Sequence, residues 1–158
     1  MSVAFTKEQD YEATAADLPD RPISPHPNLV TREGLAALDA ALAEARQAFA
    51  VAKAAGDQDL DRSALARAAR DVRYYAARRA SAELIETAGD DKVAFGSRVT
   101  FEREDGRRQT FRIVGEDEAD PTAGSVSYIS PLARALMGKT VGDLASFMGG
   151  EVEILKIA

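Results

Sequence analysis

Apolar residues recur along the chain in more than one rhythm. From residue 31 onward, Leu35, Leu38, Leu42, Ala45, Phe49 and Ala52 follow at alternating steps of three and four. That spacing is the seam of two helices wound together. Thr31 stands just ahead of it, where a hydroxyl can satisfy an orphan amide of the first turn, and alanines fill many of the other positions, favouring helix and close approach. Gly56 closes the segment in AAGDQDLD. A second helix is expected from about Leu60 to Thr87, with Leu65, Ala68, Val72 and Tyr75 as its contact stripe. The short turn makes the pair antiparallel neighbours. Some 25 residues at about 1.5 Å each give a rod on the order of 37 Å long.

After Gly89-Asp90-Asp91 the rhythm changes to strict alternation. RVTFERE and RRQTFRIV set Val99 and Phe101 against Phe111 and Ile113, and Glu104-Asp105-Gly106 between them signals a hairpin. SVSYI supplies a third strand. Ser130 followed by Pro131 starts a short helix, as N-cap and first helical residue, and Gly138 is placed to end it in a left-handed conformation. GGEVEILKI closes the segment with Val152 and Ile154 on one face. Four strands and one short helix make an antiparallel α+β unit.

The first thirty residues have neither rhythm. Pro19, Pro22, Pro25 and Pro27 fall within LPDRPISPHP, and a stretch so rich in proline favours extended states. The expected organisation is an extended arm over 1–30, a coiled-coil finger over 31–88 and a sheet domain over 89–158. With no apolar run of membrane-spanning length and no basic-then-apolar leader, a cytoplasmic protein is expected.

Composition narrows the chemistry. The chain has no cysteine and one histidine, His26, which removes thiolate catalysis, zinc–sulfur sites and Ser-His pairs. A net charge of −6 argues against a protein that holds nucleic acid mainly through its phosphates. The charge is uneven, however. Residues 1–30 carry two cations against five anions, whereas Arg62, Arg67, Arg70, Arg73, Arg78 and Arg79 crowd the second helix.

FGSRVTFEREDGRRQTFRIVGEDEAD, SPLARALMGKTVGDLASF and GGEVEILKI resemble, in order, the C-terminal domain of the GreA/GreB transcript cleavage factors. VTREGLAALDAAL and AARDVRYYAARR resemble parts of that family's finger, and LPDRPISPHPN the N-terminal extension of GreB-like relatives. The resemblance implies a coiled-coil finger before an FKBP-like domain that docks on the rim of the RNA polymerase secondary channel. It implies no independent active site and no cofactor or permanently bound metal of its own. In the family two finger-tip carboxylates help hold a second Mg²⁺ of the polymerase.

The tip of this chain departs from that pattern. The family has Gly-Asp followed two residues later by Glu-Asn-Ala; here the run is Gly56-Asp57-Gln58-Asp59-Leu60-Asp61-Arg62. Aligned from either side, Arg62 or Leu60 stands where the second acid belongs. A cation at a metal-ligand position repels Mg²⁺ and offers no acceptor. Asp57, Asp59 and Asp61 either cap the second helix in a soluble turn or combine as a divergent metal-positioning set. The finger is also shorter than in the family by roughly one turn, about 5 Å. Cleavage stimulation is therefore expected to be weak or absent.

Two further sets are candidates. Arg67, Arg70, Arg73 and Arg78 form either a solvated helix face or a contact for the polymerase channel or extruded RNA. Asp117, Glu118 and Asp120, with Ser130 and Pro131, are candidates for turn-making or polymerase docking. The expected partner is RNA polymerase, with nucleic acid met only inside the transcription complex, no membrane, and a monomeric chain. Two rival readings are an interaction module of the nucleoside diphosphate kinase regulator type and a peptidyl-prolyl isomerase.

Overall fold

The computed structural model describes residues 18–55, 59–86 and 89–158, with backbone only at 59–61. Short strand β1 (Leu29–Val30) leads into helix α1 (Arg32–Ala54), and helix α2 (Asp59–Ser81) leads into short strand β2 (Glu83–Leu84). Then follow β3 (Arg98–Arg103), β4 (Arg108–Val114), a 3-10 turn at Pro121–Ala123, β5 (Ser125–Ser127), helix α3 (Pro131–Leu136), β6 (Leu144–Phe147) and β7 (Gly150–Ile157). The described residues form two compact units, 18–26 with Leu38–Ser81, and Pro27–Ala37 with Ala82–Ala158. The start of α1 and both short strands thus belong with the sheet, a different division from segments at 1–30, 31–88 and 89–158.

Helices α1 and α2 are 23 residues each, about 34 Å at 1.5 Å per residue. The predicted seam is the buried one: Leu38, Leu42, Ala45 and Ala52 are buried and Phe49 half-buried, while the intervening positions are mostly exposed. Ala68 on α2 is buried, as is Ala66. Arg79 Nε reaches Asp39 Oδ1 at 2.6 Å, joining the last turn of α2 to the first half of α1, as an antiparallel hairpin requires.

Helix α2 stops earlier than its expected end at Thr87. After Ser81 the chain leaves the alanine-rich stretch and turns extended. Glu83 N donates to Asn28 O and Ile85 N to Val30 O, pairing β2 parallel to β1. These strand bonds claim the amides that a longer helix would have used.

The sheet of the second unit runs in the order β5-β4-β3-β7-β6. It has five strands rather than four, and it is not wholly antiparallel. β5 pairs parallel to β4, Ile113 beside Val126, because the ten-residue crossover between them returns the chain to its starting end. The added strand, β6, pairs with β7 through a two-residue turn at Met148-Gly149, both at positive φ (49° and 78°). A bulge in β7 lets Phe101 pair with Ile154 while Thr100 pairs with Lys156. Leu155 is the extra residue, and the shift returns Ile157 to the inner face beside Val152 and Ile154.

Val99, Phe101, Ile113, Ala145, Val152 and Ile154 from the strands pack with Leu132, Ala133 and Leu136 of α3 to form the core. Ser130 Oγ accepts from Ala133 N at 3.2 Å and Pro131 takes the first helical position, as the sequence indicates. Gly138, at φ 83°, follows the last turn.

Candidate functional site

The arginines of α2 do not share one environment. Arg67 is exposed. Arg73 donates from Nε to Asp20 Oδ1 at 2.5 Å and from Nη2 to Leu18 O at 3.3 Å. Arg70 is half-buried, and its Nε is buried without a hydrogen-bond partner. Arg78 is only 2% exposed. That corrects its place among surface contacts: a side chain so covered cannot meet a channel wall or an RNA.

What meets Arg73 is the proline-rich arm. Its residue Arg21 pairs with Asp71 at 3.1 Å and stacks on Tyr74, 3.9 Å from guanidinium carbon to ring centroid, with Tyr75 at 5.2 Å. Tyr74 and Tyr75 themselves meet edge to face at 5.2 Å. The arm residues 18–26 have no regular secondary structure, yet they are laid on α2 by these contacts. With Asp20 and Arg73 side chains 71% and 49% exposed, that ion pair contributes about 0.2–1 kcal/mol. The cation–π contact adds about 0.5–2 kcal/mol. The docking is real but shallow.

In the sheet unit, the acid loop after β4 divides its work. Glu118 turns inward: Oε2 accepts from Thr31 N at 3.0 Å and Gly115 N at 3.3 Å, and Oε1 from Thr31 Oγ1 at 2.5 Å. Its carboxylate is committed to the start of α1, which takes it out of an outward docking set. Asp120 caps the 3-10 turn, accepting from Thr122 Oγ1 at 2.6 Å and Thr122 N at 3.2 Å. The Thr122 hydroxyl, followed by backbone amides, holds the Asp120 carboxyl below the usual aspartate range. Asp117 and Pro131 are exposed, and Ser130 is half-buried as the cap of α3.

Parallel pairing explains which of these come together. β4 and β5 run side by side in one direction, so the residues leaving each strand emerge at the same end of the sheet. Gly115–Glu118 and Tyr128–Pro131 are therefore neighbours in space as segments, while Asp120 lies back beside Ser125, whose Oγ accepts from its amide at 2.9 Å. Tyr128 ties this end to the chain ahead of β1, donating from its hydroxyl to Pro27 O at 2.5 Å.

Of the tip acids, Asp57 lies outside the described residues. Asp59 and Asp61 open α2, and their side chains lie outside the described residues as well. Among the described residues no group of three His, Asp or Glu side chains is placed to hold a metal ion. Nor does any described helix have the length and apolarity to cross a membrane.

Residues 88–158 match the family model described as "Transcription elongation factor, GreA/GreB, C-term". Transcription elongation factor GreA of Desulfovibrio desulfuricans is 37% identical over 134 residues, spanning 79% of this chain and 83% of the relative. The chain belongs to the GreA/GreB family. GreA of Hyphomonas neptunium is 38% identical over 73% of this chain and 85% of its own, and GreA of Alkalilimnicola ehrlichii 41% over 66% and 75%. All three carry the elongation-factor name, and none the name of a kinase regulator or an isomerase.

Against this family frame, two features escaped the sequence reading. The first is Glu118 as a helix cap: nothing in its neighbours signals a partner 87 residues away. The second is the arm on α2. Its signal was present, since an acidic stretch precedes a helix with six arginines and three aspartates, but opposite charges alone do not locate a contact.

Proposed function

We propose that this chain is a transcription elongation regulator that binds RNA polymerase at the secondary channel. In this reading the helical hairpin enters the channel and the sheet unit holds the polymerase surface through the Asp117, Ser130 and Pro131 end. The observation that carries it is the pair of 23-residue helices in a chain alike over most of its length to proteins named as transcription elongation factors.

The tip supports occupancy more than metal positioning. Mg²⁺ bridging between protein and polymerase needs two oxygen donors at the tip, and Arg62 or Leu60 occupies the second position in the sequence. The sequence departs from the two-carboxylate pattern of the family at the second position. The chain accordingly has no catalytic centre of its own, and any Mg²⁺ concerned is the polymerase's. Arg67, Arg70 and Arg73 are the contacts this reading assigns to the channel wall or to extruded RNA. A single hairpin whose seam is already buried calls for no second copy, so the working form is a monomer.

The test is direct binding. A fluorophore on a cysteine introduced at exposed Ala36 reports association with core RNA polymerase by anisotropy. Saturable binding that a cleavage-proficient GreA competes away is the expected result. No association at about 10 μM polymerase, a concentration that detects even modest affinity, would remove the reading.

A further inference from the structure

The arm does to α2 what a nucleic-acid strand would do. Asp20 places a carboxylate on Arg73, where a phosphate oxygen would sit. Arg21 lays its planar guanidinium over Tyr74 at 3.9 Å, where a base would stack. One turn before Arg73, Arg70 has a buried Nε that finds no hydrogen-bond partner. Arginines beside tyrosine rings are the composition that single-stranded nucleic acid uses, phosphate on the cations and bases on the rings.

Asp20 is the one acid among the described arm residues, and the helix that it meets has six arginines against Asp59, Asp61 and Asp71. We propose that the arm segment 18–26 is an intramolecular cover over the Arg70–Arg73–Tyr74 face, displaced when single-stranded RNA takes that face. The inference rests on the reading above, in which these arginines meet extruded RNA, and adds how the contact is regulated. A free chain then keeps Arg73 and the Tyr74 ring engaged and gives them up where RNA is held at high local concentration.

Displacement is physically accessible. The Asp20–Arg73 pair is largely solvent-exposed, and such pairs hold weakly and weaken further with salt. An RNA strand offers several phosphates and bases together where the arm offers one carboxylate and one stacked group.

Two measurements test this. The affinity of the full chain for a fluorescein-labelled oligouridylate of about a dozen nucleotides, within the usual single-strand site size, is compared with that of an Asp20→Asn/Arg21→Ala variant. At low salt the variant is expected to bind about fivefold tighter, reflecting loss of one exposed ion pair and one stacked guanidinium. Adding Arg73→Ala should cancel the gain. Equal or weaker binding by the cover variant, or no binding by either protein, overturns the proposal. In the unaltered chain, the Arg21 side-chain protons lie over the Tyr74 ring and so carry a ring-current shift. They are expected to move to free-arginine positions as RNA is added; shifts that stay fixed while RNA binds overturn it equally. Failure of polymerase binding in the preceding test would remove the polymerase reading and leave this difference in RNA affinity intact, so the two failures are distinguishable.

Discussion

Glu118 completes the N-terminal cap of α1 from 87 positions away, accepting from both the amide and the hydroxyl of Thr31. In a local capping box the third helical residue supplies that acceptor. Here the third helical residue is Gly34, whose amide donates to Thr31 Oγ1 at 3.0 Å. A Cβ built on Gly34 would stand 2.0 Å from Glu118 Oε2. The glycine is the space through which the carboxylate reaches the helix, and the negative charge sits at the positive end of the helix dipole.

A sign reversal follows. Glu118→Ala should destabilise by about 1–2 kcal/mol, the usual cost of losing a cap, or about 2–8 °C in Tm for a domain of this size. Gly34→Ala should also destabilise the native chain, by collision with the carboxylate. In the Glu118→Ala background the same Gly34→Ala change should stabilise, by about 0.5–1 kcal/mol of helix propensity. Thermal melts of the four proteins read the cycle. Simple additivity would show that Gly34 and Glu118 are not coupled.

The arginines of α2 should separate in stability as they do in burial. Arg67 is exposed and Arg78 is 2% exposed. Arg67→Ala should change unfolding free energy by no more than about 0.5 kcal/mol, whereas Arg78→Ala should cost about 2–4 kcal/mol through lost packing and buried polar contacts. Urea titration measures both. Equal, small effects would return Arg78 to the surface.

Acid should weaken the sheet unit in a defined window. Asp120 is held below the ordinary aspartate range first by Thr122, and Asp143 first by the Thr140 amide and then its hydroxyl. A carboxyl lowered in the folded state contributes stability that is fully present above its unfolded value, about 3.9, and is lost as pH falls through the folded value. Tm should therefore be flat from about pH 7 to 5 with respect to these groups and fall below about pH 4. An Asp120→Asn/Asp143→Asn variant keeps acceptors for the amides and should show a shallower fall. An unchanged acid slope would show that these caps do not couple to folding.

Much of this was legible from neighbours in sequence and little of it from distant pairs. The seam from Leu38 to Ala52, the Ser130-Pro131 start of α3 and the Asp105-Gly106 turn each rest on residues a few positions apart, where spacing and capping chemistry suffice. β6 was missed because its turn is Met148-Gly149, and a methionine at positive φ has none of the Asn-Gly or Asp-Gly signal of a tight hairpin. The parallel placement of β5, the β1–β2 pairing that ends α2 and the Glu118 cap all depend on chain segments meeting after folding. At the finger tip the sequence said something different in kind: Arg62 and Leu60 declare which acid is missing, while Asp57 lies outside the described residues and Asp59 and Asp61 are described only in backbone.

The most direct test is RNA cleavage in stalled, backtracked transcription complexes, with this protein and Mg²⁺ added. The 3′ end should shorten no faster than the polymerase's own slow rate, and excess protein should blunt the effect of a cleavage-proficient GreA. Rapid shortening by this chain alone, abolished by Asp57→Ala/Asp59→Ala/Asp61→Ala, would contradict the picture of a channel occupant without a metal-positioning tip.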